Sequence, residues 1–416
     1  KPFWLKPGSK NRCESLCFDL MGSSGCRGTS ASAPAEPSCG ASDVDASASP
    51  AADGALNPVS SFGLNLFARL AGSSPNVFIS PFSISTSLGL AEIGATLGSP
   101  TSKAFETVLG RPANSAVSDL HTAGLGDCEL LIASSVWSRG ALLAEYVEAA
   151  SKTFDAIACE LPSHAEPVNK WVSEKTQGRI EGLVDDDVVR DPLTVALLIN
   201  AVFFKGSWAK QFDKAKTQSA KFTTSDKGDL QCQMMNMSGL TIQVAEAEAA
   251  TSIALPYSQD AVRAVLMLPK SQSSDAAEKL ALRLSAGGWK ELRPTKQAQQ
   301  KVTVGLPRFK VSFGVADVAP HLKAMGLAEA FGGTGQFLRM SADPDVHIDA
   351  VLHKAVLEVS EEGTVASAAT AAVMMTRSLP PPEQVVVFDR PFIFAIEHVA
   401  SEELLFVGLI GSPEFF

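Results

Sequence analysis

The sequence lacks several features that would assign it to particular classes of function. Its 416 residues contain no long basic run, and 45 acidic against 35 basic side chains give a net charge of −10. Because nucleic-acid-binding proteins neutralise phosphates with clustered lysine and arginine, this balance argues against a nucleic-acid partner. No run of 18 or more apolar residues occurs, so we expect no membrane span.

Cysteine and catalytic motifs are also scarce. The chain has 7 cysteines, and Cys13 and Cys17 have no second pair of ligands nearby, so free thiols are favoured over disulfides or a zinc site. G-x-S-x-G, H-E-x-x-H and G-x-x-x-x-G-K-[ST] motifs do not occur, and the histidines are not at metal-ligand spacing. We therefore expect no metal, no cofactor and no enzymatic activity.

The chain divides by composition into an extension and a folded body. Residues 1–55 are rich in serine, alanine, glycine and proline, and we expect this low-complexity extension to be disordered. Residues 56–416 open with a helix signal, since Asn57 suits an N-cap and Pro58 suits the first turn. Stretches rich in β-branched and aromatic residues predict strands that do not alternate regularly with helices, which favours an α+β fold.

One segment of the body, EEGTVASAATAAVMMTRSLPPP at residues 361–382, is unusual in its charge. No charged side chain occurs from Gly363 to Thr376, and a single Arg377 then precedes the prolines. As a strand, this segment would carry no charge on either face and could enter the middle of a sheet. Its alanine content is also compatible with a helix. Arg377 is then either an ordinary surface arginine or a residue that a partner recognises.

Several motifs in order resemble those of the serpins, a family of serine protease inhibitors, over residues 57–413. They are NVFISPFSISTSL, LLINAVFFKGSWAKQF, LPRFKV, HLKAMGLAEAF, VLHKAVLEVSEEGTVASAAT, FDRPFIFAIEH and LFVGLIGSP. The resemblance implies an α+β serpin fold with three β-sheets, about eight or nine helices and an exposed reactive-centre loop at about 361–382.

The resemblance also implies a set of site residues. In the family, the cleaved bond usually follows the residue sixteen positions after the glutamate that opens the hinge, and this count from Glu361 gives Arg377–Ser378. The flanking subsites would be Met374, Met375, Thr376 and Leu379. The hinge would comprise Glu361, Glu362, Gly363, Thr364, Val365, Ala366, Ser367, Ala368, Ala369 and Thr370. The core beneath the opening sheet would contain Ser80, Ser83, Asn200, Trp208 and His353.

The function that the resemblance implies is suicide-substrate inhibition of trypsin-like serine proteases. The protease would be acylated at Arg377 and trapped when the loop inserts into the central sheet. Papain-like cysteine proteases that accept arginine are a second class of target. The alternative is a non-inhibitory serpin acting as a chaperone, carrier or storage protein. Hinges of such members are commonly interrupted by charged, bulky or proline residues, and this hinge is not.

Partners and location are further expectations. About eighteen residues separate Gly110 from Cys128, and RPANSAVSDLHTAGLGD has one arginine and no lysine, so we expect no heparin activation. The resemblance implies a monomer. We expect an extracellular location, with a cytoplasmic one as the alternative, since no signal peptide is visible. The sequon at Asn236 would matter only in a secreted protein.

Overall fold

The computed structural model describes residues 56–110, 124–295, 298–364 and 383–416. Its first helix, Pro58–Leu70, forms as predicted, because the Asn57 side chain accepts a hydrogen bond from the Val59 amide and Pro58 occupies the first turn. The α-helices of the described residues are α1 Pro58–Leu70, α2 Pro81–Glu92, α3 Pro100–Leu109, α4 Ala144–Phe154, α5 Glu166–Lys175, α6 Asp186–Arg190, α7 Ala276–Arg283, α8 Trp289–Leu292 and α9 Ala319–Leu322.

Strands make up much of the rest of the described chain, and the α+β class is confirmed. They are β1 Asn76–Ile79, β2 Glu129–Ser138, β3 Ile157–Glu160, β4 Ala196–Ser207, β5 Gln218–Thr223, β6 Asp229–Glu246, β7 Ala250–Pro256, β8 Val262–Pro269, β9 Gln299–Pro307, β10 Phe309–Asp317, β11 Ala350–Val359, β12 Gly363–Thr364, β13 Gln384–Val387, β14 Phe392–His398, β15 Glu403–Ile410 and β16 Glu414–Phe415.

Two hydrogen-bonded sheets contain the described strands, whereas three sheets were expected. One sheet has nine strands in the order β1-β15-β14-β8-β7-β6-β9-β13, with β5 paired to β6. The difference arises from β6, which is 18 residues long. One end of β6 pairs with β5, its middle pairs with β9 and its other end pairs with β7. A single continuous strand thus joins two groups of strands that would otherwise be separate sheets.

The stretch KVTVGLPRFKVSF at residues 301–313, predicted as strand, divides between the two sheets. β9 ends at Pro307 and β10 begins at Phe309, and each pairs within a different sheet. Proline has no amide hydrogen to donate to a ladder, so the chain can leave the first sheet at this point. The helix predicted for residues 314–331 also starts later, because β10 continues to Asp317.

The second sheet provides the surroundings of the candidate site. Its seven strands follow the order β16-β10-β11-β12-β4-β2-β3. β4 and β11 run parallel and pair directly from Ala350 opposite Leu197 to Val356 opposite Phe203. Beyond that point the short strand β12 lies between them. The centre of this sheet is therefore closed along most of its length and already contains one additional strand at one end.

Candidate functional site

The hinge enters the seven-stranded sheet at β12. Thr364 pairs with Val359 of β11 on one side and with Gly206 of β4 on the other, and both pairings are antiparallel. The Thr364 side chain is fully buried. Of the predicted hinge residues, Glu361 to Thr364 are described, and Val365 to Thr370 lie outside the described residues. The reactive-bond residues Arg377 and Ser378 and their flanking subsites, residues 374–376 and Leu379, also lie outside them.

Gly363 allows the chain to turn into the sheet. Its φ of +146° lies in a region that L side chains rarely adopt. A Cβ atom at this position would lie 2.2 Å from the Gly206 carbonyl oxygen and 2.7 Å from the Ser207 Cα atom. Both neighbours are backbone atoms that cannot rotate away. The backbone conformation and these close contacts therefore require glycine at position 363, where the hinge enters between β4 and β11.

Glu361 is buried at the start of the hinge. One of its carboxylate oxygens accepts a hydrogen bond from the Thr217 hydroxyl at 2.8 Å, and the other lies 3.9 Å from the Arg308 guanidinium. Its backbone carbonyl accepts a hydrogen bond from the Phe212 amide at 2.9 Å. These contacts fix the chain one residue before Glu362.

Glu362 faces the rim of the site, where Lys214 is its ion-pair partner. The hydrogen bond and the charge of Lys214 lower the pKa of the Glu362 carboxyl group below its usual range. The Ser360 hydroxyl donates a further hydrogen bond to the same carboxylate at 3.0 Å. Both glutamates of the hinge are thus engaged at the entrance to the sheet, and the uncharged residues follow them.

Trp208 connects the hinge to the end of β4. Its indole nitrogen donates to the Ser360 carbonyl at 3.0 Å, and its backbone amide donates to the Glu362 carbonyl at 3.0 Å. The Trp208 ring stacks on Tyr257 with the ring centroids 4.6 Å apart. Sequence reasoning selected Trp208 but missed Tyr257. The only available signal was an aromatic residue with a hydroxyl group at the end of a predicted strand, in SIALPYS.

A buried polar cluster connects β4 and β11 deeper in the sheet. Asn200 and His353 are register partners on the two strands. The Asn200 side-chain amide donates to the Ser83 hydroxyl at 2.6 Å and to the Ser87 hydroxyl at 2.9 Å. Its amide oxygen lies 2.6 Å from the His353 Nδ1 atom. Since an amide oxygen only accepts, Nδ1 carries the imidazole proton in this arrangement.

Ser80 completes the same cluster from the start of helix α2. Its backbone amide donates to the His353 Nε2 atom at 3.2 Å, and its hydroxyl donates to the Leu405 carbonyl at 2.6 Å. The structure thus places Ser80, Ser83, Asn200 and His353 in contact, and adds Ser87 and Ser134, which sequence reasoning did not select. Burial lowers the pKa of His353 to about 3, so its imidazole is neutral.

The contacts between β4 and β11 indicate how the sheet could accept a further strand. β4 and β11 are held apart by a strand at one end and are joined by backbone pairing and the Asn200–His353 hydrogen bond farther along. A strand continuing from Thr364 would replace those backbone pairs with its own, because an inserted strand presents the same donors and acceptors to both neighbours. The geometry therefore suits the insertion of a strand that continues from Thr364.

No group of three or more histidine, cysteine or acidic side chains is placed to hold a metal ion in the described part of the chain. No helix formed by those residues is both long enough and apolar enough to span a bilayer.

Comparisons with known proteins identify the family of the chain. The sequence profile described as Serpin (serine protease inhibitor) matches residues 57–413. Leukocyte elastase inhibitor of Sus scrofa is 32% identical over 372 residues, which cover 85% of this chain and 97% of the relative. Serpin B6 of Macaca fascicularis is 33% identical over 375 residues, with 85% and 97% covered.

Solved structures show the same fold. The crystal structure of Serpin48 from the insect Tenebrio molitor superposes with a TM-score of 0.75 at 25% identity, covering 85% of this chain and 97% of that one. Together with the profile and the relatives, this likeness confirms the serpin fold. The chain belongs to the serpin family of serine protease inhibitors.

Proposed function

We propose that this serpin is a suicide-substrate inhibitor of trypsin-like serine proteases, with Arg377–Ser378 as its reactive bond. The observation that carries the proposal is the position of β12. Thr364, the second uncharged residue of the hinge, lies between β4 and β11, where an inserted strand must enter. A chain that already starts between these strands needs only to continue along the same gap.

The proposed reaction begins as ordinary proteolysis. The serine hydroxyl of the protease attacks the carbonyl carbon of Arg377, and its proton passes through the protease's histidine to the departing amine of Ser378. The bond between Arg377 and Ser378 breaks, and Arg377 becomes an ester of the protease. Insertion of residues 365–376 then carries the protease with them and distorts its active site before water hydrolyses the ester.

Specificity in this proposal follows from the charge of Arg377. Trypsin-like proteases carry a carboxylate at the base of the pocket that binds the residue before the cut. Arg377 is the only basic residue between Lys354 and Arg390, so the segment offers a single site of this kind. The name of the Sus scrofa relative points instead to elastase, so the support for a trypsin-like target is the arginine itself.

Replacement of Arg377 tests this assignment. The Arg377→Ala variant should inhibit trypsin at least about 100-fold more slowly, because the pocket carboxylate then lacks its charged partner. Arg377→Lys is the matched control and should retain most of the inhibition, since it keeps the charge. Second-order rate constants for trypsin and elastase give the comparison. Equal rates for the alanine variant and the native protein on trypsin would mean that the bond is misassigned.

Two further parts of the proposal concern partners. We expect the inhibitor to act as a monomer. We also expect it to act without heparin, because residues 111–127 contain one arginine and no lysine. Residues 111–123 of that segment lie outside the described residues. Trypsin inhibition that accelerates strongly with heparin at low salt would contradict this expectation.

For the compartment, we favour the cytoplasmic alternative over the extracellular location expected from the resemblance. Cys128 and Cys232 are free thiols, and free thiols are typical of a reducing compartment. The Asn236 side-chain nitrogen donates to the Lys216 and Met234 carbonyls at 3.1 and 3.0 Å, and a glycan there would replace one of these two N–H donors. Fractionation of producing cells tests the location, and recovery in the medium would contradict it.

A further inference from the structure

Tyr257 occupies a rigid position beside the entrance for the inserted strand. It follows the end of β7, and an isolated backbone bridge joins it to Trp208. Its ring is fully buried, stacks on Trp208 and meets Phe204 edge-on with the centroids 5.1 Å apart. Aromatic contacts on two sides leave the ring one orientation, so its hydroxyl points in a fixed direction.

The hydroxyl of Tyr257 is aimed at the hinge. It lies 2.7 Å from the Thr364 hydroxyl, and both side chains are completely buried. Burial raises the pKa of Tyr257 above its usual value, so the phenol stays neutral and can donate or accept. Two buried hydroxyl groups that satisfy each other lose a partner if either is removed, and an unpaired buried hydroxyl is costly.

This contact is made by the first residue of the hinge that pairs with both β4 and β11. Successive side chains of a strand point to opposite faces, so a slip of one residue exchanges the two faces completely. With Thr364 facing Tyr257, an inserted strand would place Ala366, Ala368 and Thr370 on the same face. A slip by one residue would place Val365 against Tyr257, and valine has no hydroxyl to offer it.

We propose that Tyr257 is a positioning residue for inhibition, whose hydroxyl holds Thr364, the first residue paired with both β4 and β11, and so fixes the start and register of insertion. The inference rests on the proposed inhibitory function. Insertion competes with hydrolysis of the acyl-enzyme. A strand whose first pair is already formed avoids the entropic cost of bringing that residue into the gap. Loss of the hydrogen bond should therefore increase the fraction of protein that is cleaved without trapping protease.

Conservative variants separate this role from a structural one. Tyr257→Phe removes the hydroxyl and keeps both ring contacts, and Thr364→Val removes the other hydroxyl with little change of shape. Thr364→Ser keeps the hydroxyl and serves as the matched control. The measurement is the ratio of cleaved inhibitor to trapped trypsin, read from gels after mixing at several molar ratios. Urea unfolding of each variant reports its effect on the fold.

We expect Tyr257→Phe and Thr364→Val each to raise that ratio about threefold to tenfold, the range given by one hydrogen bond. The double variant should show no more than the larger single effect, and Thr364→Ser should resemble the native protein. Native-like ratios in both single variants, or fully multiplicative effects in the double variant, would overturn the inference.

A separate readout distinguishes failure of this inference from failure of the proposed function. Hydrogen exchange of a peptide containing Gly363 and Thr364 reports whether the hinge stays between β4 and β11, without any protease. Tyr257→Phe should accelerate this exchange about threefold to tenfold. If trypsin is not trapped by the native protein but exchange accelerates in the variant, the proposed function fails and the hinge contact stands. Unchanged exchange overturns the inference whatever trypsin does.

Discussion

His353 is held neutral at the centre of the sheet by its surroundings. It donates from Nδ1 to Asn200 and accepts at Nε2 from the Ser80 amide, so a second proton would break the bond to Ser80. Its pKa falls from 6.5 to about 3 because burial disfavours the charged form. The unfolded chain, where the imidazole titrates normally, therefore binds the extra proton first as the pH falls.

The lowered pKa of His353 makes the folded protein less stable as the pH falls. Stability from neutral His353 is fully present above about pH 6.5, and it is lost as the pH falls towards 3. Between pH 6 and pH 5 we expect the free energy of unfolding to fall by about 1 kcal/mol from this residue. Urea unfolding at both pH values measures it.

A glutamine variant provides the control for His353. The pKa of His398 is also lowered by burial, so part of the dependence belongs to that residue. The difference between the native protein and His353→Gln isolates His353, and the glutamine variant should show the shallower decline. Identical declines in the two proteins would contradict the assignment.

The residues of the site differ in how far the sequence reveals them. Ser80, Ser83, Asn200, Trp208 and His353 were predicted because motif resemblance carries them position by position. The partnership of Tyr257 with Thr364 joins residues 107 positions apart. No local periodicity encodes that contact, since it depends on how β7, β4 and the hinge meet. Local patterns predict which side chains are apolar, but they do not predict which two hydroxyls touch.

At the scale of the element, β12 is the feature that most directly supports insertion. It contains only Gly363 and Thr364, and it is paired on both sides. A charged side chain at Thr364 would be placed in a site with no exposure to solvent, where an unpaired charge is strongly disfavoured. The hinge can leave the gap without disturbing the direct pairing of β4 with β11 elsewhere.

We therefore predict that Thr364→Arg separates folding from inhibition. The variant should fold with near-native urea resistance, because the arginine can withdraw to solvent together with β12. After cleavage, insertion should be too slow to compete with deacylation, so the variant should become a substrate of trypsin. Thr364→Ser is the control, because serine is close in size to the native threonine and is uncharged. Complete inhibition by the arginine variant would refute the requirement for insertion at this residue.

The strands illustrate where sequence reasoning succeeds and where it stops at this scale. Runs such as TVALLINAVFFKGSW predict β4 correctly, because a central strand is apolar on both faces. The same kind of pattern continues through residues 301–313, yet the chain changes sheets at Arg308. The side-chain pattern is similar on either side of such a crossover, so it cannot be located without the three-dimensional pairing.

At the scale of the whole molecule, the α+β serpin fold could be predicted from ordered motifs, whereas the division into sheets could not. The long strand β6 has a register shift between Met237 and Leu240, and it joins groups of strands that were expected to be separate. Its sequence, DLQCQMMNMSGLTIQVAE, does not show that one strand serves both groups. The number of sheets therefore depends on the path of one strand rather than on composition.

Inhibition by insertion requires the described fold to be metastable, that is, less stable than the form with the loop fully inserted. In the described structure, the seven-stranded sheet has β12 inserted for two residues, and β4 pairs with β11 along the remaining gap. A full insertion would add backbone hydrogen bonds for about a dozen residues, each contributing about 0.5–1.5 kcal/mol. In the proposed mechanism, that gain would become available only after the loop is cut, because cleavage would free one end to enter the sheet.

The most direct test of this central claim mixes the protein with an equimolar amount of trypsin and separates the products on a denaturing gel. We predict a band at the sum of the two masses that survives SDS, with the cut mapped between Arg377 and Ser378. Release of the C-terminal fragment beginning at Ser378, with trypsin left active and no high-mass band, would contradict it and favour a non-inhibitory serpin.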